Sequence, residues 1–318
     1  MTTKLIAGID LGGTKIQTVV LNGQEIVGRF RVPTPQTGAD AVLAAMAESV
    51  KSALHFGEQP LSALKAIGVG SPGVIEGTSV ASSPNVPGFE VGPIPVGEEL
   101  SKALGGTDVR VDNDVRVAVL GEWKRGAGRP FKDFLGVFVG TGVGGGLILD
   151  HELRVGLGAA GEIGHTIVRD GGRRCGCGKR GHLEAYAGRR SIEATAKRWR
   201  ARGRRTKLFD IMDKRGRDRA TSGVIAKALA RHDTVTVHLI DQAVWALGIA
   251  LANAQNLLDL EAIIIGGGLG DRLGTPFVER VAEAMLPRLH VADRPPKVLP
   301  TELGDLAGAV GAAVLAGD

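Results

Sequence analysis

Between Gly161 and Glu184 the chain reads GEIGHTIVRDGGRRCGCGKRGHLE, and this stretch holds its only two cysteines, Cys175 and Cys177. His165 and His182 flank them in the spacing H-x9-C-x-C-x4-H. Four soft or borderline side chains so arranged suit a tetrahedral zinc ion bound by two sulfurs and two nitrogens. Glycines at 171, 172, 176, 178 and 181 let the backbone wrap closely around such an ion, because they tolerate positive φ. A structural metal accounts for the cysteines and the clustered glycines together. A basic surface loop whose thiols happen to be close does not. Glu162 and Glu184 are not needed to complete the metal shell, which leaves two carboxylates for a ligand.

A second concentration of chemistry lies near the start, where Asp10-Leu11-Gly12-Gly13-Thr14-Lys15 follows an apolar run. Carboxylate, open amides, hydroxyl and ammonium are together the parts needed to hold a phosphate and its Mg²⁺. This is not a Walker loop, since G-x-x-x-x-G-K-[ST] is absent and a strand rather than a helix follows. Gly140-Thr141-Gly142-Val143-Gly144-Gly145-Gly146 is a second glycine turn after an apolar run, and Gly266-Gly267-Gly268 a third. Asp112-Asn113-Asp114 sits where a strand meets a helix, and both Asn113 and Asp114 are of types that cap helices.

These segments together resemble the ROK family (repressor, open reading frame, sugar kinase), whose zinc signature is matched by G-E-I-G-H, C-G-C-G and the L-E at 183–184. The resemblance covers nearly the whole chain, with no usable motif in 190–235. It implies that Glu162, His165 and Glu184 contact a sugar, with His165 also on zinc through its other nitrogen. It implies that Asn113 holds a sugar hydroxyl and that Asp114 accepts its proton. Ser71-Pro72-Gly73 and Asn85-Val86-Pro87-Gly88-Phe89 then border the sugar pocket through Gly73 and Asn85, and Gly266, Gly267 and Gly268 lie by the adenosine. One position departs from the pattern: the family has a third cysteine where this chain has His182. Histidine is itself a good zinc ligand, so the expected shell is His165, Cys175, Cys177 and His182.

The elements that must position these residues follow from hydrophobic patterning. Lys4–Asp10, Ile16–Leu21 and Glu25–Val32 read as strands, with Asn22-Gly23 a hairpin turn. Ala39–Phe56 reads as a helix, Leu64–Val69 as a strand, Val96–Leu104 as a helix, Asp108–Val111 as a strand and Val115–Lys124 as a helix. Phe134–Val139, Leu147–Asp150 and Glu152–Val155 repeat the strand, glycine turn, strand, hairpin layout of residues 4–32. Two such halves are the plan of the actin-like (ribonuclease-H-like) ATPase fold, with two duplicated α/β domains around a nucleotide and sugar cleft. Ala185–Ala201 reads as one helix, 202–219 as charged loop, Thr221–Ala230 and Thr234–Leu258 as helices, and Glu261–Ile265 as a strand. Pro276–Leu289 reads as a helix capped by Thr275, and Asp305–Leu315 as a small-residue helix. The expected domains are 1–113, completed by the C-terminal helix 304–318, and 114–303 with the zinc loop.

Composition agrees with a two-domain globular protein: 318 residues, 43% hydrophobic and 23% charged. The net charge of +5 owes much to arginines between Arg189 and Arg219. With aromatics at only 4%, that basic segment lacks the stacking platforms of a nucleic-acid surface, so no nucleic-acid partner is expected. No uninterrupted apolar run reaches the roughly 18 residues of a membrane span. No long apolar leader is seen at the N-terminus, and two cysteines one residue apart make no disulfide framework. A reducing cytoplasm is the expected location.

The function these readings point to is ATP-dependent phosphorylation of a hexose, glucose on its 6-hydroxyl foremost. Asp114 is the expected general base. Asp10, Gly12, Gly13, Thr14, Lys15, Gly140, Thr141, Gly142 and Gly144 are expected around the phosphates and Mg²⁺, with Zn²⁺ structural. N-acetylmannosamine, fructose or allose could replace glucose, and polyphosphate could replace ATP. A sugar-sensing repressor of the same family needs a DNA-binding module before the first glycine turn, and only ten residues precede it here. A homodimer or larger homo-oligomer is expected.

Overall fold

The computed structural model describes residues 5–83 and 85–317. Lys4 and Asp318, each part of a segment read above, lie outside them, as does Pro84 of the turn-rich loop read over 83–89. The chain divides into two compact units, Met1–Arg129 with Asp305–Asp318, and Pro130–Gly304.

In the first unit the strands are β1 (Leu5–Leu11), β2 (Lys15–Asn22), β3 (Glu25–Pro33), β4 (Leu64–Ser71), the short hairpin β5 (Val74–Glu76) and β6 (Ser79–Ser82), and β7 (Asp108–Asn113). Its helices are α1 (Ala39–Phe56), α2 (Val96–Ala103) and α3 (Asp114–Arg125). The main sheet runs β3-β2-β1-β4-β7, with β1 antiparallel to β2 and parallel to β4. Alternating Leu5, Ala7, Ile9 and Leu11 are all buried, as a central strand between two layers requires.

The second unit carries β8 (Phe134–Val139), β9 (Val143–Leu149), β10 (Glu152–Arg154), α4 (Glu184–Ala187), α5 (Arg189–Ala201), α6 (Leu208–Lys214), α7 (Ser222–Ala230) and α8 (Thr234–Leu258). It continues with β11 (Ala262–Gly266), α9 (Gly267–Leu273), α10 (Thr275–Met285) and β12 (Lys297–Pro300). Its sheet runs β10-β9-β8-β11-β12, with the same strand order and the same senses as the first. The duplication read from the layout is therefore one of topology. Helix α8 is long and apolar enough by length and composition to cross a membrane, but Leu239, Ala243, Leu247 and Leu251 on it are buried in this unit's core.

The C-terminal helix α11 (Ala307–Gly317) belongs to the first unit. It is apolar all round and buried nearly throughout, the pattern of a helix enclosed on every side. Its small residues let backbone meet backbone. A Cβ on Gly68 of β4 would stand 1.7 Å from the Ala312 carbonyl oxygen, and one on Gly8 of β1 2.0 Å from that of Ala309. Gly68→Ala is therefore expected to destabilise the unit by about 1–3 kcal/mol, through overpacking against backbone that cannot rotate away. Thermal melts of parent and variant check this, and an unchanged midpoint would mean that α11 shifts freely. Helix α3 also packs on α11, so the boundary between units falls after Arg129 and not at 113/114.

Several boundaries differ from the sequence reading. The second glycine turn ends at Gly142, and Gly144, Gly145 and Gly146 are strand residues of β9. Gly145 is glycine because another segment lies across it: a Cβ there would meet the Gly161 carbonyl at 2.7 Å and the Ile163 side chain at 2.8 Å. The expected helix 185–201 is two helices broken at Gly188, whose ψ of 137° is extended. Residues 208–214, read as loop, form α6 by burying Leu208, Phe209, Ile211 and Met212 between charged neighbours. Gly267–Leu273 is a short helix, and β12 joins the sheet edge from a stretch left unassigned. Thr275 is the first residue of α10 and not its cap, since Gly274 with φ 66° precedes it.

Candidate functional site

In the first unit the candidate residues share one edge of the main sheet. The parallel register places Asp10 of β1 opposite Gly70 of β4, Gly70 opposite Asp112 of β7, and Ser71 opposite Asn113. The Gly12-Gly13-Thr14 turn, the Ser71-Pro72-Gly73 loop and the Asn113-Asp114 junction thus all leave the carboxyl ends of parallel strands, where open α/β sheets bind ligands.

The turn after β1 is closed by Gly12 N donating to the Lys15 carbonyl at 2.9 Å, and Thr34 Oγ1 donates to the Gly12 carbonyl at 2.6 Å. Gly13 lies against Asn85, whose carbonyl oxygen would be 1.9 Å from a Cβ there. The structure thus brings the Gly12-Gly13-Thr14 turn and the Asn85 loop into direct contact, which no sequence signal foretold. Gly73 has φ 109° and packs on Ser82 and Ser83.

Lys15 is not a lone ammonium. Its Nζ is paired with Asp305 at the foot of α11, and Arg31 Nη1 donates to the same carboxylate at 3.2 Å. Sequence reasoning missed Asp305, which is nearly the length of the chain away from Lys15. Burial pushes the Asp10 carboxyl up to about 6; Lys15 pulls it down and Asp305 up. Gly308 makes room for it, because a Cβ there would stand 2.8 Å from Asp10 Cγ.

The native carboxyl thus titrates above its ordinary value of 3.8, so the folded state holds this proton more tightly between those two values. Stability from that proton is present at low pH and lost as pH rises through about 6. Asp10→Asn is therefore expected to stabilise the protein near neutral pH by on the order of 1–2 kcal/mol, with the gain shrinking towards pH ~4. Melting curves at both pH values check this, and a lower midpoint for the variant at neutral pH would refute it.

At the start of α3 the two neighbours divide their duties. Asn113 Oδ1 accepts from Val115 N at 3.0 Å and Arg116 N at 3.3 Å, so Asn113 is the N-cap. Asp114 is the first helical residue, with Oδ1 3.0 Å from Val115 N. Asp112 is tied to Arg116 through Nε at 2.8 Å.

The second unit holds the remaining residues. His165, Cys175, Cys177 and His182 bring four ligand atoms within 4.8 Å of one another. His165 Nδ1 is 3.3 Å from His182 Nδ1 and 3.9 Å from Cys175 Sγ, and Cys177 Sγ is 3.3 Å from His182 Nδ1. Tetrahedral zinc with N and S ligands requires donor separations of roughly 3.3–3.8 Å. The cluster fits that ion, and both cysteines are free thiols. Burial lowers the His182 pKa and so favours the neutral imidazole that a metal takes, whereas burial pushes the Cys175 thiol up to about 12. A metal would displace that proton. The other nitrogen of His165, Nε2, faces Glu162 at 3.9 Å, so one imidazole presents opposite edges to the cluster and to an exposed carboxylate.

Glu184 links the cluster to the glycine turn. Its Oε1 accepts from Cys175 Sγ at 3.4 Å and its Oε2 from Val143 N at 3.1 Å. Gly142 must lack a side chain here, since a Cβ would lie 2.2 Å from Glu184 Oε2. Gly140 N donates to the Gly142 carbonyl at 2.9 Å and closes the turn, and Arg189 Nη2 donates to Thr141 Oγ1 at 2.8 Å. Arg189 was hidden in the sequence inside what read as one continuous helix. Gly266 pairs in register with Phe138, and Gly267, at φ 80°, packs on the Val139 backbone. Gly140–Gly142 and Gly266–Gly268 therefore meet at the carboxyl edge of the second sheet, while Gly144 lies within β9.

Comparison with known proteins follows the same lines. The family model for the ROK family matches residues 6–318. A glucokinase of Halalkalibacterium halodurans is 34% identical over 98% of this chain and 94% of its own length. An N-acetylmannosamine kinase of Haemophilus influenzae is 28% identical over 96% of this chain and 93% of its own. The crystal structure of a ROK family glucokinase from Streptomyces griseus in complex with glucose and AMPPNP superposes with a TM-score of 0.81 at 31% identity, covering 98% and 99% of the two chains.

Proposed function

This chain belongs to the ROK family and has its actin-like ATPase fold, and from that premise we propose that it is a glucokinase, transferring the γ-phosphoryl group of ATP to the 6-hydroxyl of glucose. The observation that carries the reading is likeness over the full chain to a glucokinase whose crystal structure holds glucose and AMPPNP.

Asp114 takes the proton of the attacking hydroxyl, and Asn113 contributes its amide –NH₂, because its carbonyl oxygen is spent on capping α3. Glu162, His165 and Glu184 hold sugar hydroxyls through carboxylate oxygens and Nε2, and Gly73 and Asn85 are further sugar-binding residues. Hydrogen bonds to each hydroxyl let such a site reject an analogue lacking one by about 10⁴-fold. Amides of Gly12, Gly13 and Thr14 and of the Gly140–Gly142 turn donate to phosphate oxygens, with Lys15 adding charge and Gly266–Gly268 bordering the adenosine. Mg²⁺ beside Asp10 would neutralise charge on the phosphates. His165, Cys175, Cys177 and His182 would hold a structural Zn²⁺ with no open position, ordering the loop that carries Glu162 and Glu184. Work in the cytoplasm as a homo-oligomer fits this role.

An ADP-coupled assay over glucose, N-acetylmannosamine, fructose and allose, with ATP or polyphosphate as donor, tests the reading. The expected result is the highest kcat/KM for glucose with ATP. A greater kcat/KM for N-acetylmannosamine would move the chain to the activity of its Haemophilus influenzae relative. Turnover with polyphosphate and none with ATP would overturn the donor.

A further inference from the structure

Helix α5 begins against the second glycine turn with three hydrogen bonds. Arg189 N donates to the Gly140 carbonyl at 3.1 Å, Arg190 N to the Thr141 carbonyl at 3.2 Å, and Arg189 Nη2 to Thr141 Oγ1 at 2.8 Å. The two backbone bonds satisfy amides of the first turn of α5 with carbonyls of the glycine turn, so they dock the helix. The side-chain bond does something different. A guanidinium only donates, so the Thr141 oxygen is the acceptor and its own proton is left to be given elsewhere. The hydroxyl is thereby fixed as an outward donor, matched to an anionic oxygen. Arg189 Nε is also buried without a hydrogen-bond partner in this chain, an unspent donor beside the turn. Gly188 makes the arrangement possible, because its extended backbone lets Arg189 open α5 instead of continuing α4.

We propose that Arg189 is a positioning residue for the phosphoryl donor: it presets the Thr141 hydroxyl to donate to a phosphate oxygen and places a half-buried positive charge next to it. This rests on the reading of Gly140–Gly142 as a phosphate-binding turn. The bond acts through Thr141, so the effects of Arg189 and Thr141 substitutions overlap.

The test is steady-state kinetics on Arg189→Met, Arg189→Lys, Thr141→Val and the double variant Arg189→Met with Thr141→Val. Arg189→Met is expected to raise the KM for ATP about tenfold, the scale of one charge-assisted hydrogen bond, with the KM for glucose within about twofold. Arg189→Lys keeps the charge without the rigid fork, and should recover part of the loss. The double variant should be worse than Thr141→Val alone only by the share the charge carries, short of additive, since both remove one shared bond. A KM for ATP unchanged in Arg189→Met, equal losses for ATP and glucose, or fully additive losses in the double variant would each overturn the proposal. Should Arg189→Met fold poorly by its melting curve, Thr141→Val with and without Arg189→Lys provides the same additivity test. A parent that turns over no ATP would overturn the donor-site reading itself, and this inference with it.

Discussion

Asp114→Asn is expected to lower the rate of glucose phosphorylation by ~10²–10⁴, the usual cost of losing a general base. The substitution keeps size and hydrogen-bonding shape but removes the group that accepts the proton. A residue in this position could owe its place to capping alone, and the structure separates the two roles. Asn113 accepts from the amides of Val115 and Arg116, so the cap survives when Asp114 changes. What α3 loses is one negative charge at its first turn, worth about 0.3–1 kcal/mol with the helix dipole. The variant should therefore melt close to the parent, bind glucose within a few-fold, and turn over far more slowly. Calorimetry for binding and a coupled assay for turnover read the two effects apart. Activity within a few-fold of the parent would leave Asp114 as a helix-start residue only, and the proton would need another acceptor.

The same junction shows what could be read in advance. An Asn-Asp pair between a strand and a helix was visible from residue types, but which of the two caps the helix was not, because both side chains can reach the same amides. The fold was legible where periodicity is strong: β1 to β3 and α1 lie where alternation and helical spacing put them, and the repeated layout became two sheets of one topology. It was least legible where glycine serves packing instead of turning. Gly144 to Gly146 look like loop in sequence but lie in β9, where the backbone at Gly161 crosses Gly145 and Gly146. Helix α6 was hidden because the charged residues around it dominate composition, although four apolar residues suffice to bury one face. Long-range partners were beyond reach altogether. Asp305 meets Lys15, and Arg189 meets Thr141, through the tertiary fold, and neither pair leaves a local pattern. The four-ligand cluster, in contrast, lies within one short segment, so spacing alone was enough to assemble it.

That cluster carries the second large effect, at the one position where this chain departs from the family's pattern. His182 is buried, its Nδ1 is 3.3 Å from both Cys177 Sγ and His165 Nδ1, and burial lowers its pKa. If it is the fourth ligand, His182→Ala opens the shell, and a three-ligand site loses the closed tetrahedron typical of structural zinc. The consequence reaches the proposed sugar-binding residues through His165. His165 offers Nδ1 to the cluster and Nε2 towards Glu162, so a ring released from metal no longer has a fixed orientation. Misplacement of this order costs up to ~10²-fold in oriented sites, and it should fall on glucose. The KM for ATP should move far less. Metal analysis of the purified parent is expected to find about one zinc per chain, with little in His182→Ala and recovery in His182→Cys, alongside recovered glucose affinity. Full zinc in His182→Ala would show that the histidine is not a ligand. A parent without zinc, yet active on glucose, would show that the packing of Glu184 against Gly142 and Val143 is enough to place the sugar-binding carboxylates without a metal.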